Sequence, residues 1–322
     1  MAAEESILLL TAHMQNYRSL DELSLEGAWV TIGSFDGVHR GHQAILNTLV
    51  QGAHAAGKPA VVVTFFPHPA IVLRSLQGPF YLNTPEERAQ LMTEIGIDHV
   101  ITLTFNRDLA SRTAEDFMTD LADHLHLNRL VVGHDFALGR GRAGDVHELR
   151  HLGEGLGYEV SVISAATINS QLVSSTRIRD LVAQGLMDEA AQMLGRWYSI
   201  TGRVIHGDGR GRQIGIPTAN LSIWSERIIP SRGVYATLTW INNQAVASVT
   251  NIGLRPTFET NTTLARVETH LLDTEEDLYG MELKLEFIKF LRPEQRFPSV
   301  RALLDQIHLD IQNAREVLPY VP

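Results

Sequence analysis

The stretch Thr31-Ile-Gly-Ser-Phe-Asp-Gly-Val-His-Arg-Gly-His42 stands where an apolar run, Ala28–Ile32, gives way to a helix-period segment, His42–Ala56. Gly33, Gly37 and Gly41 let the backbone turn sharply and approach a ligand closely. A helix starting near His42 directs unpaired N–H groups and the positive end of its dipole at any phosphate placed there. His39 and His42, three residues apart, reach one phosphate together. As hydrogen-bond donors they would stabilise charge building on that phosphate under attack, with no covalent intermediate. Ser34, Phe35 and Asp36 fill the turn and, with Gly33 and Gly41, complete the candidate nucleotide site.

Outward from this turn, the first half alternates apolar runs with helical patterns. The expected strands are Ala28–Ile32, Ala60–Phe65, His99–Leu103, Leu130–Val132 and Val160–Ile163. Between them fall His42–Ala56, Pro85–Ile95, Ala114–Leu125 and Asp145–Leu156 as helices. This order predicts a parallel sheet with helices on both faces, and ligands at the carboxyl ends of its strands. After about residue 185 the pattern changes. Following helices at Ser175–Gln184 and Met187–Leu194, period-two alternation begins at Ser199. Val234, Ala236, Leu238 and Trp240 share one face of a strand, and Tyr235, Thr237 and Thr239 the other. Asn242-Asn243 predicts a hairpin turn. The chain closes on a helix with an apolar stripe of Val300, Leu303, Leu304, Ile307, Ile311 and Ala314. The expected architecture is therefore an α/β domain over 1–184 and a small antiparallel β-barrel with a C-terminal helix over 185–322.

Composition narrows the function. At 322 residues and 44% hydrophobic content the chain suits two soluble domains. With no cysteine, disulfides, thiolate zinc sites and cysteine nucleophiles are excluded. A net charge of −10 argues against broad nucleic-acid binding. Local clusters, Arg140 with Arg142 and Arg203 with Arg210 and Arg212, still suit the phosphates of a small nucleotide. The Ile7–Leu10 run is too short to span a bilayer, so no membrane association is expected and a cytoplasmic location is. No obligatory protein partner is evident.

A second site lies in Gly202-Arg-Val-Ile-His-Gly-Asp-Gly-Arg-Gly-Arg-Gln-Ile-Gly-Ile-Pro-Thr-Ala-Asn220, a strand, glycine loop and strand. Gly207, Gly209 and Gly211 can wrap N–H groups around a phosphate. Thr218 and Asn220 place two hard oxygens on one side of an extended chain, which suits Mg²⁺ completed by ATP phosphates. Glu268 is a candidate base toward a hydroxyl nucleophile.

Three other patterns compete. His147-Glu-Leu-Arg-His151 fits the zinc-protease H-E-x-x-H, but Gly153, Gly155 and Gly157 follow and no third ligand is evident. Gly52 to Lys58 fits G-x-x-x-x-G-K, with Pro59 where Ser or Thr should hold a metal. Gly139, Gly141 and Gly144 fit G-x-G-x-x-G, but do not open directly from a strand.

The first turn resembles the H-x-G-H signature of nucleotidyltransferases, in the G-x-F-D-G-V-H-x-G-H form of bacterial FAD synthetases. Thr64-Phe-Phe-Pro-His-Pro69, Val132-Gly-His-Asp-Phe-Ala-Leu-Gly-Arg-Gly-Arg-Ala-Gly-Asp145 and Val173-Ser-Ser-Thr-Arg-Ile-Arg179 follow in that family's order. The second half is similar to flavokinases through residues 215–220, 233–236, 251–258, 267–273, 278–280 and 292–297. The chain is thus identified as resembling the bacterial bifunctional riboflavin kinase and FAD synthetase (FMN adenylyltransferase) family. That resemblance implies a Rossmann-like nucleotidyltransferase domain that joins FMN to AMP, and a barrel that phosphorylates riboflavin to FMN. ATP is the co-substrate of both, Mg²⁺ the metal, and FAD the final product. It implies further that Ser175, Thr176 and Arg177 hold ATP phosphates, and that Asp135, Phe136 and Arg296 contact flavin. Thr218 and Asn220 meet the metal, and Glu268 is the base. Ser34, Phe66 and Leu138 stand where asparagine, glutamate and phenylalanine are common, which motivates the alternative of a kinase with a weak or degenerate transferase half.

Overall fold

A computed structural model describes residues 15–168, 171–207, 209, 211, 214–256, 263–274 and 276–318. Ile7–Leu10, Asp208, Arg210, Arg212, Gln213, Thr257 and Phe258 lie outside the described residues. The chain forms two compact units. The first takes in the described residues of Met1–Gln77 and Asn83–Ser174, and the second those of Gly78–Leu82 and Ser175–Pro322.

The first unit is built on a six-stranded parallel sheet. Its strands are β1 (Gln15–Tyr17), β2 (Trp29–Ile32), β3 (Ala60–Phe66), β4 (His99–Thr104), β5 (Arg129–Gly133) and, after the short pair β6 (Ala137–Leu138) and β7 (Gly144–Asp145), β8 (Glu159–Ile163). Their order is β1-β4-β3-β2-β5-β8. Alternate residues of the central strands feed two cores, as a sheet buried on both faces requires. Val61 and Val63 join Met118, Leu121 and Leu125 of the Ala114–Leu125 helix. Ala60 and Val62 join Leu46, Leu49 and Ala53 of the Arg40–Ala55 helix and Met92 of the Pro85–Ile95 helix. From β2 the chain steps outward to β3 and then β4, and later returns to lay β5 on β2's other side. The order reverses between β2 and β5, so their carboxyl ends flank the crevice where such sheets bind ligands. The strand β1 at the sheet edge has no counterpart among the expected elements, since three residues give periodicity nothing to work on.

The second unit closes six strands into an antiparallel barrel, after the small pair β9 (Thr167–Ile168) and β10 (Gln171–Leu172) that ends the first. The barrel strands β11 (Tyr198–Ile205), β12 (Ala219–Ile223), β13 (Gly233–Ile241), β14 (Gln244–Pro256), β15 (Thr263–Leu271) and β16 (Glu282–Arg292) run in the order β11-β12-β15-β14-β13-β16. Asn242 and Asn243 both take positive φ, 47° and 66°, in a two-residue turn between paired Ile241 and Gln244. Both faces of β13 are buried. Val234 and Ala236 pack with Ala314 of the closing helix, Val300–Val317. Tyr235, Thr237 and Thr239 are fully buried on the other face, where the Tyr235 ring meets Phe287 edge-on. There the hydroxyls satisfy one another: Thr237 bonds Ser248 and Thr250 at 2.7 Å each, Thr239 bonds Ser248 at 2.8 Å, and Thr250 donates to Thr269 at 3.0 Å. Arg292 grips the buried Asp310 through two oxygens, at 2.9 and 2.8 Å, fastening the closing helix to β16. Val300, at the outer end of the expected stripe, is 58% exposed. Among the described residues no helix is long and apolar enough to cross a membrane.

Candidate active sites

In the first unit β2 ends at Ile32, and seven residues lead to the Arg40–Ala55 helix. The helix begins two residues earlier than expected because His39 is its N-cap: its Nδ1 accepts from the His42 amide at 3.3 Å. That bond draws the two imidazoles together, stacked at 3.6 Å between centroids and 14° from parallel. His39 is buried and His42 half-buried, with Phe35 edge-on to His42 at 5.1 Å. An added Cβ on Gly41 would stand 3.2 Å from the His39 ring, and one on Gly33 3.1 Å from Phe35. Phe35 and Val38 themselves hold positive φ, 48° and 39°, a conformation unfavourable for bulky residues. Both are almost wholly buried, so packing imposes the shape of this loop and does not leave it to local preference.

Sequence reasoning missed what else fixes the loop. Gly37 donates to Asn83 Oδ1 at 3.0 Å. The Ser34 carbonyl accepts from Arg88 at 2.9 Å and from the Thr64 hydroxyl at 3.2 Å. Asn83 and Arg88 sit outside every motif, one before and one on the Pro85–Ile95 helix. The burial of Arg88 emerges only in the fold, where its partners lie 23 and 54 residues away.

Beside this loop, β5 ends at Gly133, and Asp135 and Phe136 follow in a turn closed by the Phe136 amide on the Gly133 carbonyl, 3.2 Å. Since β5 pairs with β2, the fold brings these two loops to neighbouring strand ends. Asp135 is exposed; its carbonyl accepts from Arg142 at 2.9 Å. Ser175, Thr176 and Arg177 form the first turn of the Ser175–Gln184 helix, as the sequence implies, and this helix belongs to the second unit.

In the second unit the glycine loop roofs a cavity of about 460 Å³ lined by Gly207, Gly209, Gly211, Thr218, Asn220, Arg266 and Glu268, among others. Register brings the polar residues together. Asn220 on β12 pairs with Glu268 on β15, which pairs in turn with Asn251 on β14. A Cβ at Gly207 would lie 2.2 Å from Asn220 Nδ2, and one at Gly211 would lie 2.3 Å from the Ile216 carbonyl and 3.3 Å from Thr218 Oγ1. Glycine at 207 and 211 lets the chain lie close against the Asn220 and Thr218 side chains. Arg266, again unread in the sequence, joins the pair by donating to Asn220 Oδ1 at 3.2 Å and bridging to Glu268 Oε1 at 2.8 Å. Arg296 lies exposed between β16 and the closing helix and does not line the cavity.

The competing patterns are packing features. Gly52 lies in the last turn of the Arg40–Ala55 helix against the Trp29 ring, which a Cβ would meet at 2.1 Å. Gly139 and Gly144 pack on Ala114, at 2.6 and 2.4 Å from an added Cβ. In the Val146–Leu156 helix, Gly153 abuts Tyr158, whose hydroxyl donates to the Leu149 carbonyl at 2.9 Å. Burial, with the Glu148 charge adding, pushes the Tyr158 phenol up to about 12. His147 and His151 are exposed, and among the described residues no group of three or more metal-ligating side chains forms.

A helix-start imidazole pair at a parallel sheet's reversal point and a glycine-lined oxygen cluster in a closed barrel both suit phosphate-bearing ligands, and the family matches make this a two-domain transferase. Residues 21–177 match the FAD synthetase family and residues 194–318 the riboflavin kinase family. A bifunctional riboflavin kinase/FMN adenylyltransferase of Pseudomonas fluorescens is 41% identical, covering 94% of this chain and 97% of its own. The enzyme of that name from Escherichia coli K12 is 36% identical over 94% of this chain and 96% of its own. A crystal structure described as a macrolide-efflux protein from Streptococcus pneumoniae is 28% identical, with a TM-score of 0.85 over 93% of this chain and 98% of that one. The chain belongs to the bifunctional riboflavin kinase/FMN adenylyltransferase family.

Proposed function

We propose that this enzyme makes FAD from riboflavin in two ATP-dependent displacements, one in each unit. The observation that carries the reading is the pairing of Glu268 with Asn220 under the glycine loop, in the same chain as the His39–His42 stack. In the barrel the ribityl hydroxyl of riboflavin attacks the γ-phosphate of ATP. Glu268 takes the hydroxyl proton, the new P–O bond gives FMN, and ADP leaves. In the sheet domain an FMN phosphate oxygen attacks the α-phosphate of a second ATP, and pyrophosphate leaves. His39 and His42 donate to the charge that develops there, and Ser175, Thr176 and Arg177 are assigned to nucleotide phosphate. Gly207, Gly209 and Gly211 seat the kinase nucleotide, as Gly33 to Asp36 and Gly41 seat that of the transferase. Asp135, Phe136 and Arg296 are assigned to flavin. The boundary between the activities is drawn at 184/185, supported by family matches that end at 177 and resume at 194.

The barrel cluster fits Mg²⁺. Two oxygens there, Asn220 Oδ1 and Glu268 Oε1, already hold a cation, the Arg266 guanidinium, and a Cβ at Gly207 or Gly211 would crowd the same cluster. Thr218 and Asn220 would hold the ion, which supplies charge neutralisation on the transferred phosphoryl group. A kinase with a degenerate transferase half is not favoured. Ser34 enters the described bonds through its carbonyl, which any residue supplies, and Leu138 packs into the sheet core. We place the enzyme in the cytoplasm with its ATP supply, acting on small flavins without nucleic acid or an obligatory protein partner.

Chromatography of riboflavin incubated with ATP, Mg²⁺ and the protein, beside a tube started from FMN, tests the reading. FMN followed by FAD is expected in the first tube, and FAD in the second. FMN alone would remove the transferase assignment, and no product in either would overturn both.

A further inference from the structure

Arg88 is 1% exposed, and a guanidinium so buried is costly to desolvate unless its donors are well used. Its two terminal nitrogens donate to the ends of two sheet strands: Nη1 to Ser34 O, just beyond β2, at 2.9 Å, and Nη2 to Phe65 O, near the end of β3, at 3.1 Å. Five residues earlier, Asn83, 4% exposed, accepts from the Gly37 amide at 3.0 Å. The two side chains thus hold the loop 34–37 at both ends, a carbonyl at one and an amide at the other. This is the loop whose Phe35 and Val38 are kept at positive φ and whose next residue, His39, caps the helix and stacks on His42.

We infer that Asn83 and Arg88 are positioning residues of the adenylyltransferase: they hold the 34–37 backbone in the shape that aligns His39 and His42 for transfer. They touch no reacting atom in this account. Their effect passes through the loop, so their removal loosens alignment, which rate constants feel more than ground-state binding does. The inference rests on the adenylyltransferase reading of this unit.

The test measures kcat and KM for FAD formation from FMN in the full chain, with riboflavin phosphorylation by the same molecules as control. Arg88→Met is expected to lower the kcat of FAD formation about a hundredfold with KM for FMN and ATP nearly unchanged, while phosphorylation persists. Arg88→Lys, which keeps a charged donor, is expected to recover part of the loss. Asn83→Ala should cost about tenfold in the same kcat, and Asn83→Asp, which keeps the acceptor for Gly37, should restore it. If Arg88→Met lowers both activities together it has damaged the whole chain, and the Asn83 pair then decides. A kcat loss in Asn83→Ala that Asn83→Asp does not restore, a loss carried by KM, or unchanged kinetics would overturn the inference. Absence of FAD formation by the unaltered protein would instead sink the adenylyltransferase reading itself.

Discussion

The two sites are positioned by opposite means. In the sheet domain the side chains proposed to react stand on a loop and a helix start, and the loop is held by groups distant in sequence: Asn83, Thr64 and Arg88. In the barrel, Asn220 and Glu268 stand on adjacent strands, and β-ladder register alone puts them side by side. A register slip of one residue would turn each to the other face, and the buried hydroxyls behind them forbid it. The first site depends on tertiary clamps, the second on the pairing that also builds the fold. Loss of function should therefore be separable between them.

The largest effect is expected from Glu268→Gln. Riboflavin phosphorylation should fall by about 10²–10⁴-fold, the range for a lost general base, with FAD formation from FMN unchanged. A parallel fall in both would break the comparison. His42→Ala should lower FAD formation by about 10²–10³-fold and leave phosphorylation intact. His39→Ala should add instability, about 1 kcal/mol, because it also removes the N-cap acceptor. His39→Asn should recover that stability without the activity, which thermal unfolding and rate assays measure separately. Gly207→Ala is expected to cost about ten- to a hundredfold in kinase kcat/KM, since its Cβ would stand 2.2 Å from Asn220 Nδ2.

The smallest effect belongs to a surface contact of the sheet domain. His124 bonds the Asp120 carbonyl at 2.8 Å and the Asp21 carboxylate at 3.0 Å, and these raise its pKa above the ordinary histidine value. A raised folded pKa gives stability that is full below the unfolded value, near ~6.5 for histidine, and lost as pH rises through the folded one. His124→Gln should therefore lower the unfolding midpoint by about one degree at acidic pH and by nothing resolvable in the alkaline range, because solvent screens so exposed a pair.

Much of this was legible in the sequence. The runs at Ala60–Phe65 and His99–Leu103 read as strands because they are apolar, β-branched and short, and the structure places strands there. Asn242-Asn243 read as a turn because asparagine tolerates positive φ. Glycine spacing exposed both loops; Ser175 to Arg177 open a helix and Thr218, Asn220 and Glu268 line one cavity, while Arg296 lies outside it. Other features were not legible. The threonines of β13 look like an outer face by polarity, yet they fill the barrel and bond one another. The helix start moved to Arg40 because a histidine acts as its cap, a role propensity assigns to other residues. Arg88 and Arg266 carry no motif: a charged residue's burial depends on partners tens of residues away, which one-dimensional patterning does not record.

Whether one chain holds two independent transfer sites is tested most directly by product analysis of Glu268→Gln. Supplied with riboflavin, ATP and Mg²⁺, the variant should yield almost no FMN or FAD. Supplied with FMN in place of riboflavin, it should yield FAD at the unaltered protein's rate. FMN formed from riboflavin at the unaltered rate would remove Glu268 from the kinase reaction, and failure to adenylylate FMN would contradict the independence of the two sites.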